Sequence, residues 1–352
     1  MAEQPFLALQ PPVAIVGAGA IGGTVGAYLA RAGQPVLLVD ADREHVRAMS
    51  EHGLTIRGFD ETFTVPVQAH TPDELPGRLG TVLLATKAPA TEAAVRGVAE
   101  RLDPAGAVVS LQNGLNELTI ARVVGEARTV GAFINFSADY LEPGLIHFGG
   151  RGAFWIGELD GRRSPRIEAL QRLLSAWGDV RITDNIWGFL WGKQAYGAML
   201  FATALTNDSM ADAIDQHRGT LVALAREVLR VADGLGTQPL GFDGFEPAAI
   251  AAADAATVDA SLDRLIAVRR TDQKTHSGVW RDLAVRQRRT EVDAHFQPII
   301  AAAERQGLQV PLLRRMVAMI HEIEDGQRSF SAANLDELGA AAVTAAGGPR
   351  SG

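Results

Sequence analysis

Cysteine is absent from the 352 residues of this sequence. Its absence excludes disulfide bonds, thiolate nucleophiles and cysteine-ligated zinc, so catalysis would have to use other side chains. A basic tract is absent as well, because Lys and Arg total 33 against 41 Asp and Glu, and the formal net charge is -8. A chain without such a tract is poorly suited to follow a phosphate backbone, so we expect no nucleic-acid partner.

Long hydrophobic runs are missing too. The apolar stretches are short and interrupted by glycine, so we expect no membrane-spanning helix and no membrane partner. The first residues, MAEQPFLALQPP, carry an acidic residue and no basic region before an apolar core. A signal peptide has a basic region followed by an apolar core, so this N-terminal stretch predicts a cytoplasmic protein. The chain is 47% hydrophobic and 21% charged, as folded globular proteins are, and its length favours two domains.

Short apolar runs alternate with helical patterns in the first half of the chain. Residues 13–16 predict a buried parallel strand that ends at a glycine, residues 22–32 have helical spacing, and residues 35–39 predict a second strand. Two more strands are expected at residues 81–85 and 107–111. This alternation is typical of an α/β fold with a Rossmann-type, doubly wound sheet.

The second half of the chain has a different pattern. From residue 185 onward the strand pattern gives way to long stretches with the apolar spacing of amphipathic helices. We therefore predict a dinucleotide-binding, Rossmann-type domain over residues 1–184 and an all-helical C-terminal domain over residues 185–338. Residues 339–352 contain little apolar surface to bury, and we expect them to form a mobile tail.

A glycine motif follows the first predicted strand. It has the spacing G-x-G-x-x-G and consists of Gly17, Ala18, Gly19, Ala20, Ile21 and Gly22. The first glycine makes a tight turn, the second lets the backbone approach a pyrophosphate, and the third permits close packing of helix on strand. The helix N-terminus then directs N–H groups and a positive dipole at the phosphates. A glycine-rich turn without a ligand is the alternative, but the strand before and the helix after the motif favour dinucleotide binding.

An acidic residue, Asp40, ends the second predicted strand. A carboxylate at this place accepts hydrogen bonds from the adenosine ribose hydroxyls and repels a 2′-phosphate, so Asp40 predicts NAD (NADH) in preference to NADP. Two alternatives stay open. Asp40 could instead cap the next helix, and Arg43 nearby could bind a 2′-phosphate, which would make NADP possible.

Four landmarks in order give the sequence a resemblance to the ketopantoate reductase family, a branch of the 6-phosphogluconate dehydrogenase-like superfamily. They are the glycine motif; Thr86-Lys87-Ala88 together with Leu111-Gln112-Asn113-Gly114-Leu115; Leu190-Trp191-Gly192-Lys193; and Arg289-Thr290-Glu291-Val292-Asp293 with Gly307-Leu308-Gln309-Val310-Pro311. The resemblance covers most of the chain. It implies a reductase that transfers a hydride from NAD(P)H to the carbonyl of a 2-oxo acid, as in the conversion of 2-dehydropantoate to pantoate, and it implies a homodimer.

The resemblance also implies roles for individual residues. Lys193 would supply the proton, which makes chemical sense because an ammonium stabilises the alkoxide that forms as the hydride arrives and can then protonate it. Glu291 would bind the distal hydroxyl of the substrate. Lys87 and Asn113 would lie at the nicotinamide end of the cofactor. The alternatives are a lysine that only covers apolar surface, a solvated glutamate, and ordinary loop residues.

The substrate side departs from the family pattern. Ser277, with His276 beside it, lies close to the family's carboxylate-binding serine, but the stretch from Ser277 to Glu291 is about one residue longer than the usual pattern. One and two turns after Lys193, Gly197 and Phe201 occupy positions where the family has asparagines. The resemblance therefore leaves open a bulkier or more apolar 2-oxo acid, another ketone or an imine.

The sequence disfavours two further classes of site. A redox sensor that binds NAD(H) without turnover would need the glycine motif but no proton donor, so Lys193 and Glu291 argue against it. The histidines form no metal-binding motif, and we expect no metal. We interpret four of them as helix-surface residues: His45, His52, His217 and His321.

Overall fold

The structure is a computed structural model, and it describes residues 12–75, 77–271 and 274–346, with side chains described up to residue 341. The chain divides into two compact units, residues 1–186 and 187–352. Their boundary lies close to residue 184, where the sequence pattern changes.

The first unit contains twelve strands in two sheets and five α-helices among its described residues. The strands are β1 Val13–Val16, β2 Val36–Val39, β3 Leu54–Gly58, β4 Thr62–Val65, β5 Gln68–His70, β6 Leu79–Leu84, β7 Leu102–Ser110, β8 Thr129–Ile134, β9 Ser137–Glu142, β10 Leu145–Gly150, β11 Phe154–Glu158 and β12 Arg181–Ile182. The helices are α1 Ala20–Arg31, α2 Arg43–His52, α3 Thr91–Ala99, α4 Glu117–Val124 and α5 Pro165–Leu174.

The larger sheet has the strand order β12-β11-β8-β7-β6-β1-β2-β5. Its pairs are parallel except for β11 with β8, and β1 pairs with β2 on one side and with β6 on the other. After β1 the chain adds β2 and β5 on one side of this strand and then β6, β7 and β8 on the other side. Where the strand order reverses in this way, a crevice forms at the carboxyl ends of the strands. A second sheet has the order β4-β3-β10-β9.

The central strand β1 is buried on both faces, which explains its continuous apolar sequence. Ile15 packs in one hydrophobic core, and Ala14 and Val16 pack in another. Because successive side chains of a strand point to opposite faces, these two cores lie on the two sides of the sheet. The expected α/β class with a doubly wound sheet is confirmed.

The second unit is helical. Its helices are α6 Ile186–Thr203, which begins at the boundary, α7 Met210–Gln216, α8 Arg218–Gly234, α9 Pro247–Ala251, α10 Ala255–Thr271, α11 Gly278–Trp280, α12 Val292–Arg305, α13 Pro311–Glu324 and α14 Ala333–Ala346. A π-helical turn follows α11 over Arg281–Val285. In the part of this unit that the structure describes, β pairing is limited to an isolated bridge between Phe242 and Phe245.

The predicted mobile tail begins too early. The last helix, α14, continues through residues 339–346, because Leu335 and Leu338 are fully buried and fix the helix against its neighbours. Gly339 packs closely against α8, where a Cβ would lie 2.4 Å from the hydroxyl oxygen of Thr220. The rest of the predicted tail, residues 347–352, lies outside the described residues.

Candidate active site

The glycines from the end of β1 to the first turn of α1 meet three different steric requirements. Gly17 has a φ of 94°, and a Cβ there would lie 2.6 Å from backbone atoms of Ala85 and Thr86. A Cβ on Gly22 would lie 2.0 Å from the carbonyl oxygen of Gly17, so the helix can approach the strand only without a side chain. At Gly19 no atom lies within 4 Å of such a Cβ. The loop thus combines the tight turn, the open face and the close packing that a pyrophosphate site requires.

The helix that follows this loop begins without a side-chain cap. Gly19 is its N-cap residue, and Ala20 and Ile21, both half-buried, form its first turn. The N–H groups at the start of an α-helix lack partners within the helix and favour an anionic ligand. The structure therefore brings the five residues that were predicted to bind the cofactor's pyrophosphate into one turn.

Asp40 holds the glycine loop from the end of β2. Its Oδ2 accepts a hydrogen bond from the Ala18 N–H at 2.8 Å, and its Oδ1 accepts one from the Asp42 N–H at 3.0 Å. The helix cap is Asp42, whose side chain accepts from the N–H groups of Glu44 and His45. The alternative in which Asp40 caps α2 is therefore wrong, and Asp40 keeps its place beside the loop.

The interpretation of His45 as a surface residue is also wrong. His45 is 1% exposed, its Nε2 lies 2.9 Å from the carbonyl oxygen of Ala18, and its Nδ1 accepts a hydrogen bond from the Gly144 N–H at 2.9 Å. The helical spacing of α2 did not reveal this burial, because the partners come from elsewhere in the chain. The side chain of His217 is likewise only 10% exposed, whereas that of His52 is 79% exposed.

Two loops follow neighbouring strands at the same edge of the larger sheet. Lys87 follows β6 and Asn113 follows β7, and both residues are exposed. The two strands are parallel neighbours, and β6 also pairs with β1, whose end leads into the glycine loop. The structure thus places Lys87, Asn113 and the glycine loop at the carboxyl ends of three adjacent strands, which is where ligands bind in such sheets.

A buried hydrogen-bond network that the sequence did not predict joins these two loops. Gln112 is 7% exposed, and its amide nitrogen lies 2.8 Å from the Thr86 carbonyl oxygen and 2.7 Å from the Thr91 hydroxyl. The Thr91 hydroxyl donates to the Asn116 side chain at 2.9 Å, and Asn116 in turn donates to the Asn113 carbonyl oxygen. The only signal in the sequence was the position of Gln112 inside the family-like motif.

Lys193 lies on a half-buried face of α6. Trp191 and Ala195, two positions before and after Lys193 and therefore on other faces of the helix, are 3% and 0% exposed, whereas Lys193, Gly197 and Leu200 are each of intermediate exposure. Residues four and three positions apart share one side of a helix, so these three form a single stripe. A Cβ at Gly197 would meet no atom within 4 Å. Open space therefore lies one turn beyond the lysine.

Phe201, one turn beyond Gly197, packs against other rings of the second unit. Phe201 is 6% exposed, and its ring packs edge-on against Phe296 with the centroids 4.9 Å apart. It also lies 5.1 Å from the ring of His295. Phe201 contributes to the packing of α6 against α12, so the additional apolar surface predicted from it lies mainly inside the helical unit.

The region of Glu291 is anchored on two sides. Glu291 is half-buried and is the N-cap residue of α12. The preceding residue, Thr290, donates from its N–H and its hydroxyl to Glu324, at 2.7 and 2.8 Å. One turn later, His295 lies 3.2 Å from the side-chain oxygen of Gln194, the neighbour of Lys193 on α6. Gln194 and Glu324 were missed by the sequence analysis, because their partners lie far away in the chain.

His276 and Ser277 begin the segment that includes the π-helical turn. Ser277 caps α11 by accepting from the Trp280 N–H, and His276 stacks on Trp280 with the ring centroids 4.1 Å apart. The Nε2 of His276 lies 3.0 Å from the carbonyl oxygen of Asn207, and the indole N–H of Trp280 donates to the side-chain oxygen of Asn207 at 3.1 Å. The Ser277 hydroxyl is therefore engaged in a cap.

The extra residue expected between Ser277 and Glu291 has a structural counterpart. In the turn over Arg281–Val285, the Arg286 N–H donates to the carbonyl oxygen of Arg281 at 2.9 Å, a π-type bond that spans one residue more than an α-helical bond. Gln287 follows in the left-handed conformation, with a φ of 49°. Such a turn accommodates one additional residue without lengthening the helix by a full turn.

Within residues 12–75, 77–271 and 274–346, no group of three or more potential metal ligands comes together. Over the same ranges, no helix combines the length and the apolar character needed to cross a bilayer.

Comparisons with known proteins agree with this arrangement. The family model described as ketopantoate reductase PanE/ApbA matches residues 13–161, and the model of its C-terminal domain matches residues 185–324. The 2-dehydropantoate 2-reductase of Pyrococcus horikoshii is 27% identical over 301 residues, which are 85% of this chain and 92% of that protein.

Two solved structures have the same fold. The PanE/ApbA family ketopantoate reductase from Ralstonia eutropha JMP134 has a TM-score of 0.75 at 26% identity, covering 90% of this chain and 99% of that one. A ternary structure of D-mandelate dehydrogenase with NADH and anilino(oxo)acetate also has a TM-score of 0.75, at 22% identity and with the same coverage, and shows likeness of fold alone.

A doubly wound sheet with a dinucleotide-type glycine loop, followed by a helical unit, defines the class of pyridine-nucleotide-dependent oxidoreductases that act on CH–OH or C=O groups. Within this class, the chain belongs to the ketopantoate reductase family.

Proposed function

We propose that this chain reduces the carbonyl of a 2-oxo acid with NADH, and that 2-dehydropantoate is its substrate. The observation that carries the proposal is Lys193 on the half-buried face of α6, beside open space at Gly197. Membership of the ketopantoate reductase family supports the reaction. A sensor without turnover would not need a lysine there.

The cofactor side of the proposal rests on the first unit. Gly17, Gly19 and Gly22, with Ala20 and Ile21, would bind the pyrophosphate at the start of α1. Lys87 and Asn113 would contact the nicotinamide end, since Lys87 follows β6, which pairs with β1, and Asn113 follows β7, which pairs with β6.

Asp40 supports NADH over NADPH. Its carboxylate accepts two backbone N–H groups and, with two lone pairs on each oxygen, has capacity left for the ribose hydroxyls. A negative charge at this place would oppose a 2′-phosphate. Arg43 is exposed at the start of α2 and is the residue through which NADP binding would remain possible.

The reduction divides between cofactor and protein. Reduced nicotinamide supplies the hydride when it is bound. The Lys193 ammonium stabilises the negative charge that develops on the substrate oxygen and transfers its proton to that oxygen, and the neutral amine then regains a proton from solvent. Glu291 accepts a hydrogen bond from the distal hydroxyl of the substrate, and His276 and Ser277 contribute to the carboxylate end.

A second candidate substrate is a bulkier, more apolar 2-oxo acid. The space at Gly197 favours it, because an asparagine side chain is absent where the family resemblance places one. D-mandelate dehydrogenase, which shares the fold, was solved with anilino(oxo)acetate, an aromatic acid of this kind. An imine would fit the same space.

The test is NADH oxidation by the purified protein with 2-dehydropantoate, aromatic and branched 2-oxo acids, and imines. We expect turnover with 2-dehydropantoate, and its absence would refute the main proposal. Turnover with a larger acid alone would establish the second candidate. NADH binding without turnover of any compound would favour the sensor.

The variant Gly197→Asn sharpens this test. Because the space at Gly197 is open, the new side chain should fit, and it restores a polar contact while filling volume. We expect kcat/KM for a bulky 2-oxo acid to fall by roughly tenfold relative to that for 2-dehydropantoate, the size of effect that lost or added substrate contacts have. An unchanged ratio would remove Gly197 from the substrate site.

The cytoplasmic location and the homodimer stay predictions.

A further inference from the structure

One buried histidine of the first unit has no role in the reaction described above. His45 lies in the first turn of α2 and is 1% exposed. Its ring packs edge-on against Tyr140 of β9, with the centroids 5.0 Å apart. A polar ring buried this deeply needs a hydrogen-bond partner for each nitrogen, and His45 has both.

The two partners determine the tautomer of His45. The Gly144 N–H can only donate, so Nδ1, 2.9 Å away, accepts and carries no proton. Nε2 then carries the proton of the neutral ring and donates to the Ala18 carbonyl oxygen, also at 2.9 Å. The imidazole thereby connects the glycine loop to the turn between β9 and β10.

The bond to Ala18 fixes the direction of a neighbouring N–H. A peptide group is planar and trans, so its C=O and N–H point in opposite directions. Because the Ala18 carbonyl points at His45, the Gly19 N–H points away from it. The preceding peptide is fixed as well, since the Ala18 N–H donates to Asp40. Two successive peptide planes of the loop are therefore held by side-chain hydrogen bonds, and a Cβ at Gly19 would meet no atom within 4 Å.

The small sheet anchors His45 in turn. Gly144 lies between β9 and β10, and β10 pairs with β9 and β3. Tyr140 donates from its hydroxyl to Asp42, the cap of α2, at 3.3 Å. Burial, followed by the charge of Asp42, raises the pKa of Tyr140 to about 12, so this hydroxyl remains a donor at neutral pH. Two hydrogen bonds thus connect the start of α2 to the β9–β10 hairpin, one from Tyr140 to Asp42 and one from Gly144 to His45.

We propose that His45 is a positioning residue for the pyrophosphate of the dinucleotide, acting through the carbonyl of Ala18, with the four-stranded sheet as its support. The inference rests on the proposed cofactor site. It assigns the small sheet a part in cofactor binding: it holds the imidazole that orients the Gly19 N–H. His45 itself does not touch the cofactor.

Two conservative substitutions separate the two hydrogen bonds. In His45→Gln, the amide nitrogen replaces Nε2, so the donor to Ala18 is retained and the acceptor for Gly144 is lost. In His45→Asn, the amide oxygen replaces Nδ1, so the acceptor is retained and the donor to Ala18 is lost. The matched control is His52→Gln, on the exposed end of the same helix.

The measurements are the dissociation constants of NADH and of ADP-ribose by fluorescence or calorimetric titration. We expect His45→Asn to raise both dissociation constants by about tenfold, as the loss of one hydrogen bond does. The dissociation constants of His45→Gln should stay within about threefold of those of the wild type. At saturating NADH, kcat should be unchanged in both. A thermal midpoint for each variant shows that the measurements were made on folded protein.

The outcomes distinguish this inference from the proposed function. A purely structural role would lower the thermal midpoint of both variants without separating their affinities, and equal affinities of the Asn and Gln variants would overturn the proposal. So would wild-type affinity in His45→Asn. Failure of the wild type to bind NADH or NADPH would instead refute the cofactor site itself.

Discussion

The glycine loop of the first unit and helix α6 of the second unit use glycine in opposite ways. In the loop, the backbone is the proposed ligand of the cofactor, and the side chains of Asp40 and His45 hold it by hydrogen bonds. On α6, the proposed functional group is the Lys193 side chain, and Gly197 leaves open space one turn away. Substitutions should therefore act on cofactor affinity and choice in the loop, and on the chemical step on α6.

The strongest test of this comparison is Lys193→Ala. Removing the proton donor should lower kcat by about 100-fold to 10,000-fold, the usual contribution of general acid catalysis. The NADH dissociation constant should stay within about twofold of the wild type, because the role proposed for the lysine is in the chemical step and not in ground-state cofactor binding. Steady-state rates and a separate NADH titration measure the two effects.

Lys193→Met is the control for packing. The methionine keeps the length and apolar stem of the lysine but has no proton to donate. We expect it to lose as much activity as the alanine variant. Recovery of most of the activity in Lys193→Met would mean that the lysine only fills volume.

A smaller effect is expected from Asp40→Asn. The amide retains an acceptor for the Ala18 N–H but removes the negative charge near the ribose. The ratio of kcat/KM for NADPH to that for NADH should rise by roughly tenfold, because the charge that repels a 2′-phosphate is gone. Rates measured with both cofactors check this ratio.

Asp42→Asn provides the matched control for Asp40. It removes a charge two residues away, and asparagine caps a helix about as well as aspartate does. The NADPH to NADH ratio should stay near that of the wild type. If the wild type already prefers NADPH, or if both variants behave alike, the assignment of cofactor choice to Asp40 fails.

The smallest effect concerns a carboxylate of the second unit that resembles Asp40 in its hydrogen bonds. Glu227 of α8 accepts from the N–H groups of Leu312 and Leu313, at 3.1 and 2.8 Å, and so caps the start of α13. Unlike Asp40, it is only 3% exposed. Burial raises the pKa of Glu227 above its usual value, while the bonds from Leu313 and Leu312 oppose the rise.

This shift predicts a pH dependence of stability. A carboxyl with a raised pKa binds more protons in the folded state, so its contribution is fully present below the unfolded pKa and is lost as pH rises through the folded pKa. In Glu227→Gln this loss should vanish. The unfolding free energy of the wild type should therefore fall relative to that of the variant as pH rises above the ordinary glutamate pKa of about 4.3.

Denaturant titrations at several pH values measure this difference. Glu304→Gln serves as the control, since its side chain is 60% exposed and forms a surface ion pair with Arg314. Exposed pairs contribute little to stability, so the control should follow the wild type at every pH. Parallel curves for the wild type and Glu227→Gln would contradict the proposed effect of burial.

Local patterns predicted much of the fold. The strand, glycine turn and helix around Gly17 are specified by residues close in the chain, and the apolar run of β1 reflects burial on both faces. The helical character of the second unit was predicted from the spacing of its apolar residues. The motif around Gln112 was recognised, but the network that this side chain makes with Thr86 and Thr91 was not.

The errors have a common cause. His45 was interpreted as a helix-surface residue, but it is buried by contacts with distant segments, and its partner Gly144 is 99 residues away. The last helix was shortened because its alanines and glycines carry little apolar surface, whereas the close approach of Gly339 to Thr220 makes small residues suitable there. Each error concerns packing against a distant segment.

The sequence by itself determined the class of cofactor site, because Gly17, Gly19 and Gly22 have the G-x-G-x-x-G spacing between a strand pattern and a helix pattern. Tertiary structure decided which side chains hold that turn and which positions remain open. Asp40 and His45 reach Ala18 only when β2 and α2 lie beside the loop. The open space at Gly197 likewise depends on what packs around α6. Hydrogen bonds and cavities arise between segments that are distant in the chain, and no local pattern specifies them.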